Sequence, residues 1–466
     1  MLQISYSNGK FPCAWKIANI TPIHKGGDTT KLSNYRPIAL TSVVCKIFES
    51  MIACSVKSHV DNHCLLLPQQ HGFVTGRSCV TQLMNVFHTW LNILDKPRPP
   101  MIDTVFLDFA KAFDVMPHDV LLHKLSSQYN ISGNVWQLFK SFLYGRKHRV
   151  IYKGFQSSWH PVTSGVPQGS VLGPLLFNLF INDMLTFIES QCALFADDTL
   201  IYRIIRTIDD EHVLQRDLNS ISEWCIQNKM KLNAAKCKVM RITRCKQPNV
   251  PNYNLNDSQL EVVSEFKYLG IILNNKLSWD DHVSYVVLRA NKMIGFIFSV
   301  ARHLPSKALL ALYKSIVLPI LEYGQPVWYL YLKKHIDAIE NVQRRATRQI
   351  IKQKRMDMSY NDRLKSLHWH TLESRRIFLL ICYCIKALFF IIRCDVVKLN
   401  LQVNVRHTEI VKFHHLRART QSLHCSALHQ FPRIWENLPE SLKTGVVELT
   451  LSTWIFHLRR HLFVNK

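Results

Sequence analysis

The amino-acid sequence predicts an α+β protein whose last third is mostly helical. Between about residues 101 and 274, short runs of β-branched and aromatic residues alternate with helical patterns. The clearest of these runs are at residues 104–107, 194–198 and 239–243. Beyond Trp279 the strand signals fade, and residues 304–320 and 335–351 show helical patterns. The alternation predicts a sheet packed against helices, and the loss of strand signals predicts a helical C-terminal part.

The other elements follow from the same periodicity. In residues 1–100, polar loops alternate with short apolar segments, and no repeat is visible. Residues 172–185 and 210–231 carry an apolar face at helical spacing, so we expect two helices packed on the sheet. The segment 377–392 is apolar apart from Lys386, but it is shorter than the roughly 20 residues that a membrane span requires. We therefore expect a buried helix there, and no membrane partner.

The charge balance indicates a polyanionic partner. The 466 residues include 58 Lys and Arg against 33 Asp and Glu, which gives a formal net charge of +25. This excess favours nucleic acid as the partner. Residues 331–466 hold 24 basic and 10 acidic residues, so this region is a candidate contact surface. Its candidate phosphate contacts are Arg344, Arg345, Lys352, Lys354, Arg355, Arg375 and Arg376. An ordinary solvated charged surface is the alternative, and a salt titration of binding separates the two.

Length and cysteine content bound the architecture and the compartment. A chain of 466 residues exceeds what one hydrophobic core usually organises, so we expect two or three subdomains. The 13 cysteines include no CxxC pair, which argues against a zinc ribbon and favours reduced thiols. The N-terminus lacks the pattern of a secretory signal. These features predict an intracellular protein, in the nucleus, the cytoplasm or both.

Three aspartates stand where a charged side chain is unfavourable without a partner. Asp108 ends an apolar run, and a carboxylate there is costly unless it faces a partner or a solvent-filled cleft. Asp197 and Asp198 lie between two apolar runs, a pattern that suggests the turn of a hairpin. Adjacent anions repel each other, so we expect a cation to hold them. A solvated turn is the alternative for this pair when it is considered alone.

Taken together, the three carboxylates indicate phosphoryl transfer. Two Mg²⁺ ions can lower the pKa of an attacking 3′-hydroxyl and stabilise charge on the leaving pyrophosphate. Such ions lie roughly 3.5–4 Å apart. Asp108 and Asp197 must therefore meet, although they are 89 positions apart in the sequence. Pairing between their two strands would bring them together.

Longer motifs make a family resemblance specific. In chain order they read FLDFAKAFD, SGVPQGSVLGP, FADD, KLNAAKCK and FKYLGI. In these motifs the sequence is similar to reverse transcriptases of non-LTR (LINE-type) retrotransposons, and it most resembles their jockey-like branch. The stretches AWKIANITPIHKGGDTTKLSNYRPIAL and QQHGFVTGRSC resemble the fingers region of that family. LSWDDHV, LEYGQPVW and FPRIWENLP resemble its downstream region, so the likeness covers nearly the whole chain.

The resemblance implies a right-hand polymerase fold with fingers, a ferredoxin-like palm and a helical thumb. It places fingers and palm in residues 1–274, a thumb-like helical region in 275–350, and a basic, mostly helical region in 351–466. The implied activity is that of an RNA-directed DNA polymerase, which extends a primer 3′-hydroxyl on an RNA or DNA template. The implied cofactor is two Mg²⁺ ions, with Mn²⁺ able to substitute. The implied partners are an RNA template, a DNA primer and deoxynucleoside triphosphates.

The resemblance also implies a catalytic set. Asp108, Asp197 and Asp198 match the metal-binding aspartates of the family, and the backbone carbonyl of Phe109 is expected to help hold the metal. Lys236 resembles the lysine that protonates pyrophosphate as a general acid. For Lys236, a solvated lysine at a strand edge is the alternative.

Further matches concern the nucleotide. Lys25 and Arg36 correspond to fingers residues that grip the triphosphate. Phe113 matches the aromatic residue that lies under the incoming sugar and excludes a 2′-hydroxyl. Gln168 matches the position that supports nucleotide and template. Without the family, Lys25 and Arg36 could be surface charges, Phe113 a core residue and Gln168 part of a loop before a helix.

The turn formed by Tyr268, Leu269 and Gly270 resembles the primer grip, where glycine permits a close approach to the primer backbone. Complete elements of this family carry an endonuclease ahead of the polymerase, and we expect this chain to lack one. Autonomous transposition is therefore not expected of this chain alone.

Two other functions compete with an active reverse transcriptase. A retrotransposon-derived remnant would bind nucleic acid without turnover. A viral RNA-dependent RNA polymerase would share the paired aspartates, but Phe113 and the FADD motif argue against it, because RNA synthesis must admit a 2′-hydroxyl. Primer extension with deoxy- or ribonucleotides distinguishes the three.

Overall fold

The structure is a computed structural model of the chain, and it describes residues 1–246, 248–256, 258–351, 358–401, 403–404 and 411–463. The α-helices are α1 (Leu2–Ser7), α2 (Val43–Asn62), α3 (Cys79–Leu94), α4 (Ala112–Val115), α5 (His118–Ser127), α6 (Gly133–Leu143), α7 (Leu172–Ile181), α8 (Ile208–Gln227), α9 (Asp280–Ala301), α10 (Ser306–Leu312), α11 (Leu318–Glu322), α12 (Lys333–Ile351), α13 (Tyr360–Ser366), α14 (Leu372–Leu388), α15 (Asp395–Asn400), α16 (Gln421–His424), α17 (Ala427–Glu436), α18 (Glu440–Glu448) and α19 (Leu451–Phe463). The strands are β1 (Ile17–His24), β2 (Tyr35–Leu40), β3 (Met101–Leu107), β4 (Lys147–Tyr152), β5 (Phe155–Gln156), β6 (His160–Pro161), β7 (Gln191–Phe195), β8 (Asp198–Ile205), β9 (Lys238–Ile242), β10 (Asn254–Leu255), β11 (Ser258–Gln259), β12 (Glu261–Val262), β13 (Glu265–Tyr268), β14 (Ile271–Asn274), β15 (Val403–Asn404) and β16 (Lys412–Phe413). The predicted α+β class is confirmed, and the described elements after β14 are helical apart from the short pair β15–β16.

The chain forms two compact units, and each is described by itself. Unit 1 contains Met1–Thr75, Asp103–Val239 and Pro251–Val262, and unit 2 contains Gly76–Ile102, Met240–Val250 and Val263–Lys466. The domain boundaries predicted near residues 274 and 350 do not coincide with the limits of these units. They stay a prediction about functional regions of the chain.

The first sheet of unit 1 carries basic residues on an exposed face. Its strand order is β2-β1-β4-β5, with β6 paired to β4. Strands β1 and β2 are antiparallel with Ile23 opposite Arg36, and β1 and β4 are parallel with Asn19 opposite Arg149. Because side chains alternate between the two faces of a strand, Arg36 and Arg149 project from the same face of this sheet.

The second sheet holds the predicted catalytic aspartates and has the strand order β12-β9-β3-β8-β7. Strands β7 and β8 form an antiparallel hairpin in which Phe195 is opposite Asp198, so Ala196 and Asp197 form its two-residue turn. Ala196 has a φ of 55°, the left-handed conformation that such tight turns require. The hairpin predicted around these aspartates is present.

Helix α7 lies inside the hydrophobic core of unit 1. Every residue of this helix except Pro174 is buried. Leu176 and Phe180 belong to the same buried cluster as Phe48 of α2 and Leu107 of β3. Burial of each such side chain stabilises the fold by about 1.5–3 kcal/mol. The core therefore supports both the end of β3 and the loop that precedes α7.

The first hundred residues contain two long helices, α2 and α3, where the sequence showed polar loops alternating with short apolar segments. Neither helix was predicted. Residues Cys45, Phe48 and Ile52 recur at helical spacing and form a buried face of α2. Helix α3 begins with a capping box, in which the side chains of Ser78 and Thr81 each accept the other residue's backbone N–H. The signals were present, but polar residues interrupt the apolar pattern.

Unit 2 is built mainly from helices. Helix α9 packs against α11, α12 and the hairpin strand β14, and α14 packs against α17 and α19. Helix α14 covers most of the segment 377–392 and buries Leu380 and Ile385, so the buried helix predicted there is confirmed. Trp435 of α17 and Trp454 of α19 are almost completely buried and stack with ring centroids 6.0 Å apart. These large side chains fill the helical core.

One helix of the described part of the chain, α9, is long and apolar enough to cross a membrane by length and composition alone. About 28% of that stretch is buried in the protein. A single helix of this kind is weak evidence, because core helices of proteins in water meet the same criterion. The expectation of no membrane partner stays a prediction.

Candidate active site

Asp108 directly follows β3, and a neighbouring segment fixes its backbone. The carbonyl of Asp108 accepts the N–H of Asn233 at 2.8 Å, and the N–H of Ala110 donates to the carbonyl of Lys231 at 2.9 Å. Phe109 lies between these two bonds. In an antiparallel pair, a residue in that position directs its own N–H and C=O away from the partner segment. The carbonyl of Phe109 therefore points away from residues 231–233, as its predicted role as a ligand requires.

The three predicted catalytic carboxylates influence one another. Burial raises the pKa of Asp197, and the negative charge of Asp108 raises it further. Burial, followed by the charges of Asp197 and Asp108, raises the pKa of Asp198 to about 6. The structure thus brings these three residues close enough for their charges to interact.

Two predicted nucleotide-binding cations act on the same carboxylates. The positive charges of Arg36 and Lys25 lower the pKa of Asp197 and partly offset the upward effect of burial. The charge of Arg36 has the same effect on Asp198. Both basic side chains are exposed, and the N–H of Lys25 donates to the carbonyl of Asn34 at 2.8 Å. An exposed ammonium and guanidinium beside such anions can bind a triphosphate.

One oxygen of Asp108 has the surroundings of a metal ligand. Its Oδ2 is shielded from solvent and accepts no hydrogen bond, which is unfavourable for a carboxylate unless a cation pairs with it. The Nζ of Lys236 lies 3.5 Å from this oxygen, at ion-pair distance. Within the described ranges, no three Asp, Glu, His or Cys side chains are arranged to enclose a metal ion. The carboxylates fit a divalent cation in charge and donor type, and they would have to close around it.

Phe113 and Gln168 are linked through a residue that sequence reasoning missed. The Nε2 of Gln168 donates to Oδ1 of Asp114 at 2.9 Å. Burial raises the pKa of Asp114. Phe113 is half-buried and stacks on Phe177, with ring centroids 4.5 Å apart. Gly165 has a φ of 72°, and a Cβ there would lie 2.4 Å from the carbonyl oxygen of Phe113. Only glycine therefore fits between the two nucleotide-site loops, residues 108–117, which include the one-turn helix α4, and residues 162–171.

A buried glutamate anchors the N-terminus of α7. The Oε2 of Glu49 accepts the N–H groups of Val171 at 2.7 Å and Leu172 at 3.1 Å. Its Oε1 accepts the Sγ–H of Cys45 at 3.2 Å, and burial followed by the charge of Glu49 raises the pKa of that thiol to about 12. The buried guanidinium of Arg146 is attracted to the same carboxylate. A negative charge at a helix N-terminus is favourable, so Glu49 holds the loop before α7 in place.

The predicted primer-binding turn belongs to unit 2, and each of its contacts described below is within that unit. The hydroxyl of Tyr268 accepts a hydrogen bond from Gln82. Leu269 and Gly270 form the turn between β13 and β14, with φ of 44° and 84°. The hydroxyl of Tyr323 donates to the carbonyl of Leu269 at 2.8 Å, and a Cβ on Gly270 would lie 2.9 Å from the Tyr323 ring. The close approach of the Tyr323 ring therefore explains why this position is a glycine. The primer-binding role of the turn stays a prediction.

The basic C-terminal candidates differ in their surroundings. Lys352, Lys354 and Arg355 lie outside the described residues. Arg376 is buried, so the prediction that it contacts phosphate was wrong. Arg375 is partly exposed and paired with Glu322, so it stays a candidate contact. Arg345 is exposed on α12 and Arg344 lies over the ring of Tyr360. These last two stay candidate contacts.

Comparison with known proteins shows which protein family the chain belongs to. The family described as reverse transcriptase (RNA-dependent DNA polymerase) matches residues 23–273, more than half of the chain. The chain is 30% identical over 355 residues to the RNA-directed DNA polymerase from mobile element jockey of Drosophila melanogaster, and 31% identical over 356 residues to that of Drosophila funebris. Each alignment covers 73% of this chain and 38% of the relative. The chain thus spans well under half the length of these relatives.

Among solved structures, the chain is similar to telomerase from Candida tropicalis in complex with a TWJ fragment of telomeric RNA. The TM-score is 0.46 at 10% sequence identity, covering 98% of this chain and 67% of the telomerase chain. This likeness is too remote to add to the assignment. The predicted resemblance to jockey-like non-LTR elements is confirmed by the sequence relatives. On the family match and these relatives, the chain belongs to the reverse transcriptase (RNA-dependent DNA polymerase) family.

Proposed function

We propose that this chain is the polymerase part of a non-LTR retrotransposon RNA-directed DNA polymerase, which adds deoxynucleotides to a primer 3′-hydroxyl on an RNA template. One observation carries the proposal: three carboxylates, Asp108, Asp197 and Asp198, act on one another at the end of β3 and the β7–β8 turn. The cations Arg36, on β2, and Lys25, directly after β1, act on Asp197 within the same unit. Anions that bind metal beside cations that bind triphosphate are what nucleotidyl transfer requires.

The proposed cofactor is a pair of Mg²⁺ ions, with Mn²⁺ able to substitute. Asp108, Asp197, Asp198 and the carbonyl of Phe109 would hold them, and the bound ions would promote ionisation of the 3′-hydroxyl and neutralise charge on the leaving pyrophosphate. The 3′-oxygen then bonds to the α-phosphorus of the nucleotide, and the bond to the bridging oxygen breaks. Lys236, whose ammonium lies beside Asp108, would supply the proton that the pyrophosphate takes up.

The nucleotide would be selected by the interlocked loops of unit 1. Arg36 and Lys25 would bind the triphosphate. The half-buried Phe113, whose ring stacks on Phe177, would lie against the sugar. It would exclude a 2′-hydroxyl by steric contact. Gln168, held by Asp114, would support the templating pair.

The exposed face of the first sheet supports a single-stranded nucleic-acid template as partner. The guanidinium of Arg149 lies 4.6 Å from the ring centroid of Trp159 and donates to Asn19 at 2.9 Å. Trp159 is 43% exposed, and the β4–β6 segment from 147 to 161 contains no Asp or Glu. The strand register places Arg149 on the same face as Arg36. Exposed aromatic rings interspersed with cations suit stacked bases and phosphates.

Two further parts of the proposal concern unit 2 and the compartment. In unit 2, the primer would contact the turn formed by Tyr268, Leu269 and Gly270. All 13 cysteines are unpaired, which is consistent with a reducing compartment and supports a location in the nucleus, the cytoplasm or both.

Primer extension by the purified protein tests this function. A primed RNA template with Mg²⁺ and deoxynucleotides is expected to yield extended DNA, and ribonucleotides are expected to be used poorly. Binding without extension would favour the inactive remnant, and efficient ribonucleotide use would favour an RNA polymerase.

The template face has its own test, a binding titration without metal on primer–templates whose single-stranded overhang is lengthened stepwise. Trp159→Ala is expected to lose the affinity gained from the overhang. Phe187→Ala, which removes a ring that is 83% exposed elsewhere in unit 1, serves as the matched control and is expected to keep it. An unchanged overhang effect in Trp159→Ala would contradict the proposed face.

A further inference from the structure

A short extended segment runs beside strand β7 in unit 1. The carbonyl of Gln69 accepts the N–H of Leu194 at 2.9 Å, and the N–H of His71 donates to the carbonyl of Leu194 at 2.8 Å. These two bonds dock residues 69–71 along β7 like an added strand. They place Gln70 next to the strand that leads into the aspartate turn.

The side chain of Gln70 reaches the turn itself. Its Oε1 accepts two backbone N–H groups, that of Gly72 at 2.8 Å and that of Ala196 at 3.0 Å. Gln70 is only 1% exposed, so this oxygen binds the two amides in a setting from which water is excluded. Ala196 immediately precedes Asp197 and has the left-handed φ of 55°. An alanine rarely adopts this conformation unless its surroundings hold it there.

The same segment fits closely against the turn through Gly72. A Cβ on Gly72 would lie 2.4 Å from the backbone nitrogen of Ala196, which is closer than a real Cβ can approach. The carbonyl of Gly72 accepts a hydrogen bond from Nδ2 of the buried Asn178 at 2.6 Å. Helix α7, which carries Asn178, therefore holds the segment, and the segment holds the turn.

We propose that Gln70 is a positioning residue, which fixes the backbone of the turn so that Asp197 and Asp198 are set for nucleotidyl transfer. Its Oε1 is the acceptor for the Ala196 amide, and loss of that acceptor frees the turn to leave its left-handed conformation. This inference rests on the proposed polymerase activity and adds a residue that contacts neither substrate nor metal. Gln70 acts through the position of the two carboxylates.

The test compares two amide side chains that bond to the backbone of neighbouring parts of the chain, residues 65–67 and 72. Gln70→Leu keeps the size of the side chain but removes the acceptor. The matched control is Asn182→Leu, because Asn182 bonds through Oδ1 to the N–H of Leu67 and through Nδ2 to the carbonyl of Leu65, each at 2.8 Å. Each variant loses side-chain hydrogen bonds to the backbone of residues 65–72, but only Gln70→Leu also loses a bond to the aspartate turn.

The expected result is a split between rate and binding. Gln70→Leu should lower kcat by about tenfold or more, because a buried N–H loses its partner at the turn, while KM for the deoxynucleotide and affinity for primer–template stay within about twofold. Asn182→Leu should keep kcat within about twofold. Gln70→Leu with a parental kcat, or a kcat loss of equal size in both variants, would overturn the positioning role.

A second readout does not depend on catalysis. Hydrogen exchange of the Ala196 amide should be slow in the parent protein and in Asn182→Leu, and faster in Gln70→Leu. Gln70→Glu, which keeps an acceptor oxygen at this place, should retain the slow exchange. A parental exchange rate in Gln70→Leu would refute the contact even if the parent protein did not extend primers, so failure of this inference is distinguishable from failure of the proposed function.

Discussion

Substitution of Gly165 by alanine tests how tightly the two nucleotide-site loops fit together. Gly165 has a φ of 72°, and its N–H donates to the carbonyl of Met116 at 2.8 Å. A Cβ at this position would lie 2.4 Å from the carbonyl oxygen of Phe113 and 2.5 Å from the carbonyl carbon of Asp114. These are backbone atoms, so a change of side-chain rotamer cannot relieve the contact, and one loop must move.

The expected cost has two parts. The left-handed conformation costs an alanine about 1–2 kcal/mol. Displacement of the loop weakens the hydrogen bonds that Gly165 and Val166 donate to the other loop, each worth about 1 kcal/mol. The free energy of unfolding should therefore fall by about 2–4 kcal/mol. Because Phe113 and Gln168 shift with the loops, KM for the deoxynucleotide should rise.

Urea unfolding and steady-state primer extension measure the two effects. Gly133→Ala is the matched control, because Gly133 also has a left-handed φ, of 61°, but a Cβ there meets no atom within 4 Å. It should lose only the conformational part, about 1–2 kcal/mol, with no change in KM. An equal loss of stability in both variants, with an unchanged KM in Gly165→Ala, would refute the close fit of the loops.

Three further predictions concern selectivity, folding and pH. Phe113→Ala should raise ribonucleotide relative to deoxynucleotide incorporation more than it lowers the rate, and an unchanged ratio in a competition assay would make Phe113 a core residue. Glu49→Ala should lower the free energy of unfolding in urea by about 2–4 kcal/mol, because the N–H groups of Val171 and Leu172 lose their charged acceptor; a loss below about 1 kcal/mol would contradict this. Burial, followed by the charge of Lys267, lowers the pKa of His282 to about 4, and its Nδ1 accepts the N–H of Ile272 at 3.2 Å. The unfolded chain therefore binds this proton more tightly, so the stability due to His282 is complete above about pH 6.5 and declines by about 3 kcal/mol as the pH falls to 4. His282→Asn should flatten the pH dependence of urea unfolding over that interval, and an unaltered profile would count against it.

The sequence revealed the parts of the site whose signals are local. Asp108 and the Asp197–Asp198 pair stand out because a carboxylate at the end of an apolar run needs a partner. The strands around them were predicted from apolar runs, and membership of the family carries with it the right-hand polymerase fold that the resemblance implied. Lys25 and Arg36 were assigned from the resemblance alone, since an exposed cation on a polar loop or strand has no distinctive pattern.

The parts that sequence reasoning missed depend on contacts between distant segments. Gln70 looks like any polar residue before a turn, and its role arises only because residues 69–71 dock beside β7. Asp114 resembles a surface acid on a short helix until its bond to Gln168 is seen. Glu49 is buried on α2 and accepts a hydrogen bond from the N-terminus of α7. No local sequence pattern predicts that contact. Such residues can be identified only from the packed structure.

The most direct test of the proposed two-metal site is primer extension by Asp108→Asn and Asp197→Asn on a primed RNA template with Mg²⁺. Both substitutions keep the size of the side chain and remove one negative charge, so the fold and the affinity for primer–template should be retained. The proposed role predicts a loss of extension of about a thousandfold or more with parental template affinity, because the charge that binds metal is lost. Extension near the parental rate in either folded variant would contradict the assignment of these carboxylates as the catalytic centre.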